Sequence, residues 1–517
     1  MEFTVVSCIV GIVGVMLVLC AWRVLNWIWF KPKKIEKCLR EQGLKGSSYN
    51  FFVGDLKEMV ELMVQAQSNP IKLTDDIVHR VLPFAHKSVT TYGKICFTWA
   101  GLRPIVQISE PSMVKEILCD VKNFHKPKVE NPLVKLLVRG LADVNGDQWV
   151  KHRKIINPAF HVEKLKHMVP SMYVSCCEMI NKWEEMLTNE SSCEVDVWPH
   201  LQTFSGDVIS RTAFGTSYEE GRKIFQLQQE LAELVVKANQ SIYIPGSRFL
   251  PTKSNKRMKE TEQEMRALLR NIIYKRITMM KSEGTHNNDL LGILLSSSDQ
   301  EIKEHGNSRF GLSIDDIIEE CKIFYLAGQE TTAVLLVWTM VLLSSYMKWQ
   351  ARARQEVLDI FGDKKPNIEG LSRLKIMNMI LNEVLRLYPS VVVIGRQVHE
   401  ETKVGNITLR AGTHIQLNNL LMHNDQDLWG EDAKEFNPDR FSEGIVKATK
   451  GQSSYFPFGG GPRICIGQNF AMLETKMALV MILQRFSFEL SPSYSHAPRM
   501  ILTLQPQFGA HLIIHKL

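Results

Sequence analysis

The sequence predicts a mainly α fold with small β-sheets, preceded by one N-terminal transmembrane helix. Three observations carry that reading. Residues 3 to 22 contain no charge, residues 313 to 345 place apolar side chains at helical spacing, and strand-like alternation is confined to 95–108, 404–417 and the tail from about 501 to 515. At 517 residues the chain suits one large enzyme domain with a peripheral segment. Hydrophobic content of 45% and charged content of 23% exclude a disordered or collagen-like chain.

The first element is the uncharged run, and about 20 apolar residues are what a helix needs to cross a bilayer. A cleaved signal peptide would have a shorter apolar core, basic residues before it and a small-residue cleavage site after it. Instead Glu2 precedes the run, and Arg23, Lys31, Lys33, Lys34, Lys37 and Arg40 follow it. That asymmetry places everything after residue 30 on the cytosolic side, with Trp22, Trp27 and Trp29 at the level of an interfacial aromatic belt. The anchor is therefore assigned to residues 1–30. Lys31-Pro32-Lys33-Lys34 then reads as a helix break, which predicts a basic, proline-containing hinge over 31–47. Residues 48–517 contain no long linker, repeat or low-complexity tract and read as a single domain.

A cytosolic address has consequences for the side chains. The ten cysteines include no Cys-x-x-Cys pair or zinc spacing and should stay reduced. The sequons at Asn189, Asn239 and Asn406 should stay unglycosylated. The net charge of +7 fits a surface near anionic lipid or a basic face for an acidic partner. No basic run interleaved with aromatics points to nucleic acid.

The second element starts at Ser313-Ile-Asp-Asp316, a helix N-terminus, and continues through Ile314, Ile317, Ile318, Cys321 and Phe324. From Ala333 to Leu343 it is apolar on every side, which marks the central helix of the domain. Between these halves lie Gly328, Glu330, Thr331 and Thr332, and polar residues in so apolar a helix are expensive unless used.

The chemistry concentrates in Phe458-Gly-Gly-Gly-Pro-Arg-Ile-Cys-Ile-Gly467. Phe458, Gly461, Arg463, Cys465 and Gly467 at fixed positions coincide by chance in on the order of one chain in 10⁴. A buried free cysteine in a glycine-rich turn is the ordinary alternative. An iron-bound thiolate explains more, because it needs amide donors and a backbone close to the porphyrin, which the glycines at 459, 460, 461 and 467 would allow. Two further pairs sit at helical spacing: Glu383 with Arg386 at i,i+3, and Trp149 with Arg153 at i,i+4. The i,i+4 spacing predicts that both donors of Trp149 and Arg153 can meet one anionic group.

With all five cysteine-motif positions matched, the chain resembles the cytochrome P-450 haem-thiolate monooxygenases. The resemblance implies the cytochrome P-450 fold, haem b with Cys465 as axial iron ligand, and Phe458, Gly461 and Gly467 shaping the ligand loop. It implies Trp149, Arg153, Arg396 and Arg463 on the haem propionates, and a Glu383–Arg386–Arg440 charge triad, with Arg440 from Pro438-Asp-Arg-Phe441, locking the region behind the haem. It assigns Gly328 to an oxygen-binding groove, and Thr331 with Glu330 to proton delivery during dioxygen cleavage. The chain lacks Cys-x-x-Cys-His, so the haem is expected to be held without thioethers, and it lacks a Gly-x-Gly-x-x-Gly nucleotide unit. Electrons would then come from NADPH through a separate reductase, the NADPH–cytochrome P-450 reductase, at the endoplasmic reticulum membrane.

Within the family, Trp22-Arg-Val-Leu-Asn-Trp27, Lys151 to Phe160 and Gln505-Pro-Gln-Phe-Gly509 look like the plant seventy-two-A subfamily. Its members oxidise triterpenoid sapogenins, iridoid glucosides such as loganin, or gibberellins. The resemblance leans to a triterpenoid sapogenin of the oleanane type, with iridoid and gibberellin oxidation as alternatives. A haem-thiolate isomerase or dehydratase, and a non-catalytic haem or ligand carrier, are the rivals outside monooxygenation. Segments near 130–143, 239–250, 324–335 and 391–396 are expected to line an apolar substrate pocket. Ser390 departs from the family's second proline after Tyr-Pro, which predicts a less rigid strand entering the pocket.

Overall fold

The computed structural model describes residues 2–129, 131–187, 191–216, 218–239, 243–244, 246–283 and 289–517. Helices dominate, and they pack around the central helix Ile314–Ser345. Its start follows the sequence signal: the Ser313 hydroxyl accepts the Asp316 N–H, and the Asp316 carboxylate accepts the Ser313 N–H in return. Every residue from Thr332 to Ser344 is buried, which is why the run is apolar all round. This second long apolar helix thus belongs to the domain core.

The helix Val197–Phe214 lies directly against it, and Gly328 makes that approach possible. A Cβ at 328 would stand 2.7 Å from the Ile209 side chain. Helices Val162–Met186, Lys375–Leu387 and Gln468–Arg485 contribute to the same continuous core.

Each expected strand region contains strands. Ile95–Ala100 and Arg103–Ile108 form a hairpin with Ile95 opposite Ile108, and the second strand runs parallel to His414–Leu417. His414–Leu417 then pairs antiparallel with Ile394–Val398. Lys45–Gly46 and Phe124–His125 close the two edges of this six-stranded sheet. His511–Lys516 sits between Phe486–Leu490 and Ser192–Asp196 in a second sheet. Leu504–Pro506 pairs with Pro498–Met500. Ser192–Asp196 and the two-residue edge strands carry too little alternation to be read from sequence.

At the N-terminus, Glu2–Leu25 is helical, and from Ile9 onward its apolar side chains are exposed, Val10, Leu17 and Val18 about two-thirds. Among the described residues none covers that surface, as a lipid-facing span requires. The hinge expected over 31–47 is not a break. A widened π turn, Asn26–Phe30, leads directly into a second helix, Lys31–Glu41. Pro32 continues the helical run but has no N–H to donate back along it. The carbonyl four residues back, Ile28, accepts the Tyr49 hydroxyl at 2.6 Å. Glu36 then ties the linker helix to the domain by accepting from Lys33 at 2.9 Å, Arg40 at 3.0 Å and the Tyr49 N–H at 3.3 Å.

The described cysteines are all free. Asn406 is exposed in a hairpin turn, Asn189 lies outside the described residues, and the side chain of Asn239 lies outside them as well.

Candidate active site

The loop 458–467 folds back on itself before the helix Gln468–Arg485. The Cys465 N–H donates to the Phe458 carbonyl at 2.9 Å, and Ile464 N–H donates to the Gly461 carbonyl at 3.0 Å. Gly459 and Gly461 adopt positive φ of 74° and 64°, so side chains there would be strained. Gly461 also has no room: a Cβ would fall 2.2 Å from the Leu118 carbonyl oxygen. The glycines were expected to clear a porphyrin, and at 461 the requirement is instead packing against the Leu118–Cys119 backbone. Cys465 is an exposed residue, yet protein atoms crowd its sulfur. Burial raises its pKa, while the Gly467 N–H and the Arg153 charge work in the opposite direction.

Phe160 connects this loop to the central helix. Its ring lies where a Cβ on Gly467 would contact it at 3.7 Å, and it meets Phe324 edge-on with centroids 6.3 Å apart. One turn further along, Ala327 is exposed and Thr331 half-buried, at i,i+4 within the partly accessible run 326–331 of a mostly buried helix. The Thr331 hydroxyl donates to the Ala327 carbonyl at 2.7 Å. Glu330 points elsewhere. Its carboxylate accepts Gln505 at 2.6 Å, Thr503 at 3.2 Å and Gln202 at 3.5 Å, and burial raises its pKa despite these donors. The sequence reading missed Gln505, Thr503 and Gln202 because they come from distant segments.

Ser390 was expected to loosen the pocket strand, and its contacts tie that strand down. Its buried hydroxyl donates to the Thr331 carbonyl at 2.9 Å, and its own carbonyl accepts the Leu504 N–H at 3.3 Å. The same C-terminal strand that holds Glu330 therefore also holds the residue clamped to Thr331.

Three cations converge beside the cysteine loop. Arg463 stacks on the Trp149 ring at 4.6 Å and donates to the Val144 carbonyl at 3.0 Å and to Asn145 at 2.9 Å, yet its Nε and Nη1 are buried without a partner. Burial, then mutual repulsion, pushes Arg463 down to about 10 and Lys126 down to about 7; burial alone pushes Arg396 down to about 10. Asp143 offsets only part of this positive charge. Arg153 sits one turn from Trp149 on the same helix. Its Nη1 donates to the Ile464 carbonyl at 2.8 Å, so it braces the loop beside the thiol.

A cysteine in a glycine-rich loop, a half-buried threonine on the central helix and a cluster of three cations are thus assembled in one domain. The family profile described as Cytochrome P-450 matches residues 72–512. The chain belongs to the cytochrome P-450 family. It is 58% identical to cytochrome P-450 CYP72A219 of Panax ginseng over 97% of each chain. It is 57% identical to cytochrome P-450 72A397 of Kalopanax septemlobus, covering 96% of this chain and 95% of that one. A 7-deoxyloganic acid hydroxylase of Catharanthus roseus is 51% identical over 96% of each.

Cytochromes P-450 are haem-thiolate monooxygenases that carry haem b, receive NADPH-derived electrons through a reductase and bind a small substrate. The residues present fit that group. A thiol beside an arginine suits the iron, and Lys126, Arg396 and the unpaired N–H groups of Arg463 suit two propionates.

The helix Lys375–Leu387 supplies the brace of this P-450. Glu383 and Arg386 are fully buried and paired in a fork, Nε to Oε2 at 2.8 Å and Nη2 to Oε1 at 2.7 Å. Arg386 also donates to the His423 carbonyl at 2.7 Å and the Ala433 carbonyl at 2.5 Å. Arg440 only partly completes the expected triad. It stands 3.7 Å from Glu383 and directs its hydrogen bonds to Asp432 and the Trp429 carbonyl, while the Asn437 N–H takes the remaining Glu383 lone pair at 3.0 Å.

A second buried tie escaped the sequence reading. His152, on the helix that carries Trp149, meets Glu320 of the central helix at 2.5 Å, and Glu320 accepts the Leu141 N–H at 2.8 Å. A histidine one residue from Arg153 gave no sign of a carboxylate lying 168 positions away.

Proposed function

We propose that this P-450 is anchored by one span in the endoplasmic reticulum membrane, with its domain in the cytosol, and oxidises an apolar plant specialised metabolite. The leading substrate class is a triterpenoid sapogenin of the oleanane type. The observation that carries the chemical reading is the Glu330–Thr331 pair: a carboxyl whose pKa burial raises, one residue before a half-buried hydroxyl on the central helix.

Haem b supplies reductive activation of dioxygen and insertion of one oxygen atom into a C–H bond. Cys465 would hold the iron through its sulfur, and Arg153 with the Gly467 N–H favours its thiolate. Trp149 supports Arg463, which joins Arg396 and Lys126 in holding the propionates. Thr331 positions a proton at its hydroxyl, and Glu330 is the nearby carboxyl that resupplies it on turning from Gln505 and Thr503. Gly328 keeps the central helix close enough to Val197–Phe214 for Gln202 to reach that carboxyl. Glu383, Arg386 and Arg440 act structurally. Val391 is 40% exposed between buried neighbours, which supports the strand 391–396 as a pocket wall.

The triterpenoid class rests on the subfamily resemblance. The relative named 7-deoxyloganic acid hydroxylase favours an iridoid as the second reading. Microsomal expression with a plant reductase, followed by mass-spectrometric screening of triterpenoid, iridoid and gibberellin pools, separates them. A triterpenoid product heavier by one oxygen supports the first reading, and turnover confined to another pool overturns it. Turnover without NADPH would replace monooxygenation with isomerase or dehydratase chemistry.

A further inference from the structure

A cavity of about 900 Å³ lies away from the cysteine loop, between the linker helix Lys31–Glu41, the sheet hairpin and the segment after Phe124–His125. Its composition is one-sided. Lys31, Lys34, Arg103, Lys128 and Arg410 line it, and among the described residues its lining holds no aspartate or glutamate. His414, also on the wall, is held neutral by burial and by Arg103, with a pKa pushed down to about 4. Among the described residues, Lys31, Lys34, Lys128 and Arg410 have no carboxylate within ion-pair distance, although neighbours outside the cavity do: Lys33 and Arg40 both pair with Glu36. Elsewhere the same helix neutralises its cations, and here it does not.

Trp27, Ile35, Leu39, Leu102 and Pro104 give the cavity an apolar wall beneath that charge. Trp27 in the π turn and Lys31 at the start of the linker helix directly follow the outward-facing apolar helix, so the opening lies at the level where that helix leaves the membrane. The linker helix cannot swing the wall away, because Glu36 and Tyr49 fix it to the domain. A fixed concavity with cations at the rim and apolar side chains below is complementary to an anion attached to hydrocarbon.

We infer that this cavity binds the headgroup and upper acyl region of an anionic phospholipid of the cytosolic leaflet. The lipid phosphate pairs with Lys128 and Arg410 across from Lys31 and Lys34, and the acyl chains run along Trp27 and Ile35 back toward the bilayer. Occupancy fixes the domain's tilt on the membrane, because one lipid then bridges the anchor, the linker helix and the sheet. The inference rests on the membrane-anchor reading, which is tested separately.

Full-length, haem-loaded protein is reconstituted into nanodiscs of phosphatidylcholine alone or mixed with phosphatidylserine, extracted into detergent, and assayed for retained lipid by native mass spectrometry. Phosphatidylserine should be retained over phosphatidylcholine. Lys128→Glu/Arg410→Glu, far in sequence from the anchor, should lower retention by about tenfold or more, since each cation near a membrane surface contributes measurably to anionic-lipid attraction. Lys37→Glu/Lys303→Glu carries the same charge change outside the cavity and should retain lipid as the parent does. The carbon monoxide difference spectrum reports that each variant still holds haem.

Equal retention of both lipids overturns the inference, as does equal loss in the cavity and control variants. Displacement of the lipid by inorganic phosphate alone would show a small-anion site and also overturn it. The comparison of the two lipids on the parent protein decides the matter even if the double variant fails to load haem. Release of the full chain from membranes by alkaline carbonate would overturn the anchor, whereas a carbonate-resistant protein with no lipid preference overturns only the cavity.

Discussion

The loop around Cys465 and the helix turn around Thr331 are built by opposite rules. Ten consecutive residues, Phe458 to Gly467, contain the thiol, its backbone partner and both positive-φ glycines. The acid and hydroxyl on the central helix are instead held by Gln202, Ser390, Thr503 and Gln505, from three separate parts of the chain. A local site tolerates change around it but not within it. A dispersed site should lose function gradually as single supports are removed.

The largest effect should come from the local side. Cys465→Ala and Cys465→His both remove the thiolate, and each should abolish the haem-thiolate carbon monoxide spectrum together with monooxygenation. Survival of either property in both variants would break the comparison at its root.

Next in size is the brace. Glu383→Ala leaves Arg386 charged and fully buried, and removing one partner of such a pair costs about 3–5 kcal/mol. The urea midpoint and haem content should both fall. Replacing both residues with apolar ones, Glu383→Leu/Arg386→Met, should cost less than the single change, because no unpaired charge is left behind. The opposite ranking would show that the carbonyls around Arg386 contribute more than the charge pair.

Much of this was legible in the sequence, and the boundary follows chain distance. The cap at Ser313, the buried half of the central helix and the cysteine loop are local patterns, and each appears where it was read. Glu383 with Arg386 was also legible, being one helical turn apart. Lys126 was not, since a lysine gives no sequence signal of lying beside Arg396 and Arg463. The hinge failed for a physical reason: the rule that proline breaks helices omits the case where a π turn and the Tyr49 hydroxyl absorb the break. Arg440 shows the limit of motif transfer, because Asp432 competes for its guanidinium at 2.8 Å.

The pH dependence of stability tests the same brace from another side. His423 is fully buried, accepts the Phe456 N–H at 3.0 Å, and has its pKa pushed down to about 3 by burial and by Arg386. The unfolded chain binds that proton near pH 6.5 and the folded chain does not, so its contribution is intact above about pH 6.5 and is lost as pH falls toward 3. His496, likewise pushed down to about 3, adds to the slope. Thermal unfolding should therefore weaken by about 2 kcal/mol per histidine between about pH 6.5 and pH 5. His423→Gln keeps an acceptor for Phe456 and should remove its share of the slope. An unchanged slope would place the acid sensitivity outside the brace.

The smallest effect probes the dispersed side. Ser390→Ala deletes one hydrogen bond to the Thr331 carbonyl while leaving the helix ladder intact, so stability should drop by only about 1 kcal/mol. Function should be hit harder than stability, because that bond links the pocket strand to the turn carrying Thr331 and, through Leu504, to the strand holding Glu330. The expected readout is NADPH consumed per molecule of product, which should rise as proton delivery loses its alignment. Ser390→Pro discriminates further: it lacks the hydroxyl but stiffens the strand by fixing φ. If strand rigidity is what matters, the proline variant keeps the parental coupling; if the bond to Thr331 matters, it uncouples like alanine. Parental coupling in Ser390→Ala would mean that the central helix holds Thr331 without help, and the contrast between a local and a dispersed site would disappear.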